Sequence, residues 1–317
     1  VFAPMLGASG WPSMLDGVCD SDAACSATPA AWPLSCIDKR CQVSCSDAGH
    51  WPGYASALCQ TVAAGYAFVA GVCRAQSALP GGRIAAENAQ PGDSSWVLSD
   101  PATAREIEGY ADRTSVNLGE SLALYVHTRE PSFALEVFRL GYYAGRGARR
   151  LLGPVQRPGV AQTMPLPAAD GLLECDWRDP YTLAIPSHWV SGVYLAKLTA
   201  ERSRKQSYIV FVVRDDARTS DYLFQSSVTT YQAYNNWGGK SLYDENSSAG
   251  QRAARVSFNR PYALGTDPAG LGAGELLAPL WLDRAQSGPA WEYPLLRFLE
   301  REGYDVTYAT SLDTHQN

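Results

Sequence analysis

The sequence predicts a multidomain chain: a small disulfide-rich region, then an antiparallel β-sandwich, then an incomplete α/β domain. Three observations support this division. Seven of the eight cysteines lie before residue 74, period-2 hydrophobic alternation follows, and a helix–glycine–strand pattern comes near the end. We place the boundaries at 1–93 for the cysteine-rich region and linker, 94–216 for the sandwich and 217–317 for the first part of the α/β domain.

The cysteine-rich region predicts disulfides rather than zinc. Structural zinc sites usually show two close Cys pairs, and only Cys41 and Cys45 form one here. Disulfides in turn indicate an oxidising compartment, so we expect a secreted or cell-surface protein. An odd number of cysteines leaves either one free thiol or a bridge to Cys175. The seven are Cys19, Cys25, Cys36, Cys41, Cys45, Cys59 and Cys73.

Composition narrows the function classes. The chain has 317 residues, 46% of them hydrophobic, with a net charge of −6 and scattered basic residues. The hydrophobic content allows a substantial core. The negative net charge and the scattered basic residues argue against a nucleic-acid partner. No run of about 18 apolar residues occurs, so the sequence predicts no membrane span. The Pro/Gly/Ser/Asn-rich stretch 77–95 has the composition of a linker.

Alternating strands define the predicted sandwich. In SLALYVHT, Leu122, Leu124 and Val126 alternate with less apolar residues, and FALEVFRL repeats the pattern. Short strands of period 2 with turn residues at their ends are typical of an antiparallel sandwich. His127 and His188 lie in or beside these strands, and we interpret both as packed or surface residues rather than ligands.

The last hundred residues indicate α/β structure. DYLFQSS predicts a strand over 221–227, and Leu295, Leu296, Phe298 and Leu299 mark one face of a helix. Gly303 occupies a C-cap position, and a strand follows around Val306. This is half of a βαβ unit that stops after one strand. We therefore expect a C-terminal remainder of the same protein, or a second chain, to complete the domain.

A candidate site lies directly after the first of these strands. The loop TTYQAYNNWGG supplies Tyr231, Tyr234, Asn235 and Trp237, and open α/β sheets bind ligands at the carboxyl ends of their strands. SLDTHQN follows the last strand in the same way and supplies His315. The alternative interpretation is that these aromatic residues fill the seam between two domains. No nucleophile elbow, Cys–His pair or phosphate loop is present.

Residues from about 105 to 317 resemble the large (beta) subunit of N,N-dimethylformamidase and its relatives. The resemblance implies a sandwich followed by a glutamine-amidotransferase-like α/β domain that holds a mononuclear iron between two tyrosines and a glutamate. The motifs that carry the resemblance, in order, are IEGYADRTSVNLGESLALYV, FRLGYYAGRGARRL, WVSGVYLAKL, YQAYNNWGGKSLYD, RVSFNRPY and EYPLLRFLEREGYDVTYATSLDTH.

The resemblance also assigns residues. Its tyrosine motifs carry over to the YQAY segment, where we favour Tyr234 over Tyr231 as a metal ligand, and to Tyr262 of NRPY. The family's glutamate, and a histidine that helps to activate water, belong to a His-Asp-Glu-Tyr segment that this chain lacks. We therefore expect the catalytic residues beyond residue 317, and a third carboxylate ligand is missing. A hard cation prefers such anionic oxygen donors. Asn235, Trp237 and His315 are the expected substrate-binding residues.

We therefore predict a secreted metal-dependent hydrolase that acts on an amide-type C–N bond in a small molecule, peptide or amino sugar. The alternative from another class is a carbohydrate- or surface-binding protein with a non-catalytic α/β scaffold. Aromatic residues near the start, Trp11, Trp32, Trp51 and Trp96, would then either stack on sugars or simply pack. Metal content separates the two hypotheses.

Overall fold

A computed structural model describes residues 82–264 and 292–316 in full, together with the backbone of four short strands that precede them. The chain divides into two compact units, Val1–Leu79 and Pro80–Asn317. In the first unit, β1 (Leu34–Ile37) pairs antiparallel with β2 (Arg40–Val43), and β3 (Tyr66–Val69) pairs antiparallel with β4 (Val72–Ala75). The predicted disulfides among the seven early cysteines lie outside the described residues.

Two sheets form the β-rich part of the second unit. A three-stranded antiparallel sheet has the order β10 (Tyr181–Ala184), β7 (Ser121–Thr128), β5 (Ile107–Ala111). A five-stranded sheet has the order β6 (Ser115–Asn117), β12 (Gln206–Arg214), β11 (Gly192–Ala200), β8 (Ser132–Leu140), β9 (Ala148–Pro158). All neighbours are antiparallel except β6 and β12. The predicted β-rich architecture is confirmed.

The predicted alternation sets the core between these sheets. Leu122 and Leu124 of β7 and Leu135 and Val137 of β8 are fully buried in one apolar cluster. Strand β11 is buried along its whole length for a different reason. Tyr194 and its alternate neighbours enter this cluster, whereas Val193 and Leu195 enter a second one on the opposite face of the sheet. The five-stranded sheet is therefore covered on both faces.

The segment 77–95, which its composition predicted to be a linker, contains a packed helix. Helix α1 spans Gly82–Asn88, and its Ile84 is fully buried. Arg83 Nη1 donates to Asp215 Oδ2 at 2.9 Å, and Asn88 Oδ1 accepts from the Tyr142 backbone N–H at 2.7 Å. The linker prediction was wrong for this segment. A short helix can pack against the fold through a few buried and charged residues even when most of its neighbours are typical of turns.

The described part of the chain that follows β12 combines one pair of strands with three α-helices, and we refer to it as the α/β part. Strand β13 (Tyr222–Ser226) pairs parallel with β14 (Val306–Thr310), as the sequence predicted. Helix α2 (Val228–Tyr234) follows β13, α3 (Glu292–Arg301) precedes β14, and α4 (Ser311–Gln316) follows it. The described residues hold only these two strands of this part. A glutamine-amidotransferase-like topology therefore stays a prediction.

The buried face of α3 differs from the predicted one. Tyr293, Leu296 and Glu300 are buried, whereas Leu295 and Phe298 are 50% and 40% exposed. The sequence prediction counted apolar residues only, and the structure buries a glutamate on this face instead. The predicted helix end is confirmed, because Gly303, two residues after Arg301, has a φ of 67°.

A fully buried ion pair fixes α3 on the five-stranded sheet. Arg139 of β8 donates from Nη2 to Glu300 Oε1 at 2.7 Å, and both side chains are fully buried. Tyr308 of β14 also donates to Glu300 Oε1, at 2.7 Å. These bonds hold α3 and β14 against the sandwich, and thereby orient the end of the parallel strands where the candidate site lies.

Candidate functional site

The candidate site is built at the carboxyl end of β13, where α2 begins. Tyr231 lies on α2 and is fully buried. Its phenol donates a hydrogen bond to Glu292 Oε2, and Ser226 Oγ donates to the same oxygen at 3.1 Å. The other carboxylate oxygen, Oε1, accepts the backbone N–H of Ser227 at 2.9 Å. Glu292, the first residue of α3, thus joins the strand end, α2 and α3.

Tyr262 of the NRPY motif lies beside Tyr231. The ring centroids are 6.3 Å apart and the rings are nearly perpendicular, at 74°. Burial, the Glu292 charge and the nearby Tyr262 phenol raise the pKa of Tyr231 well above its usual value of about 10. The Tyr231 phenol therefore keeps its proton at neutral pH unless a cation supplies compensating charge.

Tyr234, the tyrosine that we favoured from the sequence, packs on a different partner. Its ring stacks on Tyr243 with centroids 4.4 Å apart and planes 19° apart, and the side chain is half-buried. The Tyr234 carbonyl also accepts a hydrogen bond from Asn246 Nδ2 at 2.9 Å. The ring that contacts Tyr262 is that of Tyr231, so contact geometry favours Tyr231 as its companion.

Asn235 holds the loop together. It is fully buried, and Nδ2 donates to Gln232 Oε1 and to the Pro261 carbonyl. Its Oδ1 accepts the N–H groups of Trp237 and Ala263, so all four hydrogen-bonding positions of the amide have protein partners. This arrangement supports a positioning role for Asn235 in place of the substrate contact that we predicted.

Arg260 ties the same two segments together from the other side. It is almost fully buried, and its guanidinium donates to the carbonyls of Lys240 and Asn235 at 2.8 Å each. Burial lowers the pKa of Arg260 to about 10. Together with Asn235 it presents Tyr262 at a defined place beside α2.

Trp237 connects the loop to the three-stranded sheet. The indole is 3% exposed, and Nε1 donates to Glu108 Oε2 of β5 at 2.7 Å. The Arg105 guanidinium lies 4.4 Å above the indole centroid, and its Nε donates to Glu108 Oε1 at 3.0 Å. Burial raises the pKa of Glu108, although Arg105 and the Trp237 bond act in the opposite direction.

A cavity of about 460 Å³ lies in front of these residues. Arg105, Glu108, Trp237, Gly239 and Tyr262 are among the residues that line it. The cavity therefore reaches Tyr262 of the tyrosine pair. Its volume suits a ligand the size of an amino acid or a small peptide.

His315, the third predicted substrate contact, lies on α4 and is exposed. Its helix is anchored by Asp313, whose Oδ1 accepts from Ser115 Oγ at 2.6 Å and from Arg214 Nη1 at 3.0 Å. Burial raises the pKa of Asp313, but the bonds from Ser115, Thr310 and Arg214 outweigh burial and lower it overall. Both α2 and α4 thus follow the carboxyl ends of parallel strands, as predicted.

Trp96 is a packing residue. It is 2% exposed and donates from Nε1 to the Arg146 carbonyl at 3.0 Å, so it presents no face for sugar stacking. The other three tryptophans considered for this role, Trp11, Trp32 and Trp51, lie outside the described residues.

The residues present fit a hard cation in donor chemistry. No cluster of three or more His, Cys, Asp or Glu side chains occurs within 82–264 and 292–316. The Tyr231 phenol nevertheless contacts the Glu292 carboxylate, and the Tyr262 ring packs against the Tyr231 ring. Anionic oxygen is the donor that trivalent iron prefers. The sequence did not identify Glu292, Glu108 or Arg105. Glu292 had one signal, its place inside the EYPLLRFLEREGYDV motif, but the motif assigned it no role.

Residues 134–317, more than half of the chain, match the family described as N,N-dimethylformamidase beta subunit-like, C-terminal. The chain belongs to this family. Membership confirms the predicted resemblance and suggests a dimethylformamidase-like hydrolase. The NRPY and YQAY segments of the candidate site both lie inside the family match.

Other comparisons add little. The crystal structure of murine CEACAM1b is similar over 38% of this chain and 62% of that chain, with 14% identity and a TM-score of 0.18. A similarity this low carries no argument. Comparison with the curated proteins gives no match. No helix in the described part of the chain has the length and apolar character of a membrane span.

Proposed function

We propose that this chain is a hydrolase that cleaves an amide-type C–N bond at a mononuclear iron held by tyrosine oxygens. The observation that carries the proposal is the contact between Tyr231 and Tyr262 beside Glu292, at the carboxyl end of β13. The family membership supports the same reaction class. Tyr231 and Tyr262 are the proposed metal donors, with Tyr234 as the alternative to Tyr231.

Glu292 has a distinct role in this proposal. It accepts the Tyr231 hydrogen bond, so the proton that leaves the phenol on metal binding has an acceptor beside it. Glu292 does not belong to a His-Asp-Glu-Tyr motif, so we do not equate it with the family's third ligand. That carboxylate and the histidine that helps to activate water are proposed to come from a C-terminal remainder or a second chain.

The chemistry follows from the metal. When bound, the iron would polarise an amide carbonyl and lower the pKa of a water molecule, which permits hydrolysis without a covalent intermediate. The chain's own residues orient and shield the site. Asn235 and Arg260 hold the two tyrosine segments at fixed positions, and Trp237 ties the loop to Glu108 of β5.

Metal content and a visible spectrum test the proposal. The protein, purified together with the proposed remainder or second chain, should contain about one iron per chain by plasma mass spectrometry and show a tyrosinate-to-iron charge-transfer band. Tyr231→Phe should abolish the band and the hydrolysis of amide substrates, while the far-UV circular dichroism stays unchanged.

Tyr234→Phe is the matched control because it lies three residues away on the same helix. We expect it to retain the band. If Tyr234→Phe loses the charge-transfer band and Tyr231→Phe retains it, Tyr234 is the metal donor and Tyr231 is not. Absence of iron after reconstitution with ferric and ferrous salts would overturn the proposal.

The location of the protein is part of the proposal. We propose an extracytoplasmic protein with a bridged cysteine-rich region, because irregularly spaced cysteines favour disulfides over zinc. Mass spectrometry of the non-reduced protein should show at least three bridges, whereas stoichiometric zinc released by a thiol reagent would contradict this. Cys175 is a buried free thiol, which does not support the alternative that it bridges to an early cysteine.

A further inference from the structure

Arg105 is held in a definite orientation at the edge of the 460 Å³ cavity. Its guanidinium stacks on Trp237, its Nε is bound by Glu108, and its Nη2 donates to Met164 Sδ. The backbone there has a φ of 64°, in the left-handed region that non-glycine residues seldom adopt. Three side-chain contacts therefore fix the Arg105 guanidinium on a strained backbone. Because the side chain is already ordered, it loses little conformational entropy when a ligand binds.

The fixed guanidinium keeps donors for a ligand. Nε and Nη2 have partners, whereas Nη1 makes no hydrogen bond to any residue in the described parts of the chain. The Arg105 side chain is 40% exposed, but the Glu108 side chain is only 7% exposed and both of its oxygens already accept a bond. A molecule that enters the cavity thus meets the cation before it meets the carboxylate.

Small residues in the lining leave room beside this cation. They are Ala102, Ala104 and Ala263, and the loop turns through Gly238 and Gly239 with φ values of 70° and 81°. A Cβ at Gly239 would lie 2.3 Å from Ser248 Oγ, so no larger residue fits there without a shift. Tyr262 lines the same cavity. One ligand can therefore contact both Arg105 and Tyr262.

We propose that this cavity is the substrate pocket and that Arg105 selects amides bearing a carboxylate, such as N-acyl amino acids or peptide C-termini. The inference rests on the proposed function, because Tyr262 belongs to both sites. Guanidinium groups bind carboxylates through charge-assisted hydrogen bonds, and stacking on the indole leaves the in-plane N–H groups of Nη1 available for them. The amide group would lie toward Tyr262. Arg105 is thus a specificity-determining residue.

Two probes of equal size test the charge preference in the unmodified protein. Isothermal titration calorimetry should show N-acetylglycine binding at least about tenfold more tightly than N-acetylglycinamide, because hydrogen bonds between charged groups are stronger than those to a neutral amide. The measurement needs no turnover. Equal binding, or tighter binding of the uncharged amide, would overturn the proposal.

Two substitutions test whether Arg105 causes the preference for the carboxylate probe. Arg105→Met should remove it, whereas Arg178→Met, at a side chain 77% exposed, should keep it. Should Arg105→Met fail to fold, Arg105→Lys decides the matter, because an ammonium cannot reproduce the stacked, forked geometry. We expect several-fold weaker N-acetylglycine binding in Arg105→Lys, and unchanged binding would exclude the proposed role.

The two proposals fail separately. A protein that contains iron and hydrolyses amides, but shows no preference for the carboxylate probe, contradicts the pocket assignment alone. A protein that prefers N-acetylglycine through Arg105, yet takes up no iron and hydrolyses nothing, contradicts the proposed hydrolase and leaves the pocket assignment standing.

Discussion

His127 illustrates how one buried side chain couples the sandwich to pH. It lies on β7, is 6% exposed, and its Nδ1 accepts the Gln162 backbone N–H at 2.9 Å. Burial, together with the nearby charges of Arg105 and Arg129, lowers its pKa to about 4. The sequence-based interpretation of His127 as a packed histidine is confirmed.

The lowered pKa of His127 predicts a loss of stability in mild acid. Unfolded His127 takes up its proton near pH 6.5, and the folded residue does so only near 4. Its stabilising contribution is therefore complete above 6.5 and lost as the pH falls toward 4, by about 3 kcal/mol at most. His127→Gln should reduce this pH dependence in urea unfolding between pH 7 and 4.5.

His188→Gln provides the control, because His188 is exposed beside β11. Carboxylates also titrate over part of this range, so the informative quantity is the difference in slope between each variant and the unmodified protein. Identical slopes for the unmodified protein and His127→Gln would show that His127 does not carry the effect.

At the scale of elements, the end of α3 depends on one glycine. Gly303 donates to the Glu300 carbonyl at 3.3 Å, and Tyr304 N–H donates to the Leu299 carbonyl at 3.1 Å, which closes the helix in the pattern of a Schellman cap. The nearest atom to a Cβ placed at Gly303 is Ala85 Cβ, at 3.6 Å. Space is available, so the constraint is the positive φ.

Substitution at Gly303 should therefore cost backbone strain alone. We expect Gly303→Ala to lower the free energy of unfolding by about 1 kcal/mol and Gly303→Asn to cost less, because asparagine tolerates the left-handed region better. Chemical denaturation followed by circular dichroism measures both. Equal costs for the two variants, or a stabilising Gly303→Ala, would show that φ at this position is not the constraint.

At the scale of the whole molecule, the Arg139–Glu300 pair joins the sandwich to the α/β part. Both groups are fully buried, and Tyr143, Tyr308, Asn88 and the Ser191 carbonyl are among their further hydrogen-bond partners. Burying two charges is costly, so such a pair is weak evidence for extra stability. Removing one partner, however, leaves the other buried and uncompensated.

Glu300→Gln should therefore destabilise the protein by about 3–5 kcal/mol in chemical denaturation. Arg139→Met should do the same, and the double variant should cost clearly less than the sum of the two. Arg301→Met is the control on the same helix, because its pair with Glu302 is half exposed and should contribute less than about 1 kcal/mol. Strict additivity of the two buried substitutions would contradict the coupling.

Local patterns predicted much of this fold from the sequence. Alternation predicted β7 and β8, and Gly303 marked the end of α3, because backbone conformation and side-chain direction depend on neighbours within a few residues. The helix α3 before β14 indicated a βαβ-type crossover, which agrees with the parallel pairing of β13 and β14. Apolar spacing alone chose the wrong face of α3, since the burial of Glu300 depends on Arg139, 161 residues earlier.

The candidate site divides in the same way. The sequence alone, through the motifs that carry the family resemblance, predicted that tyrosines in the YQAY and NRPY segments belong to it. Only the tertiary structure decided that Tyr231 lies against Tyr262, that Glu292 accepts its hydrogen bond, and that Arg105 reaches the same cavity. The physical reason is separation along the chain. Tyr231 and Glu292 are 61 residues apart, and no short-range propensity carries the packing that brings them together.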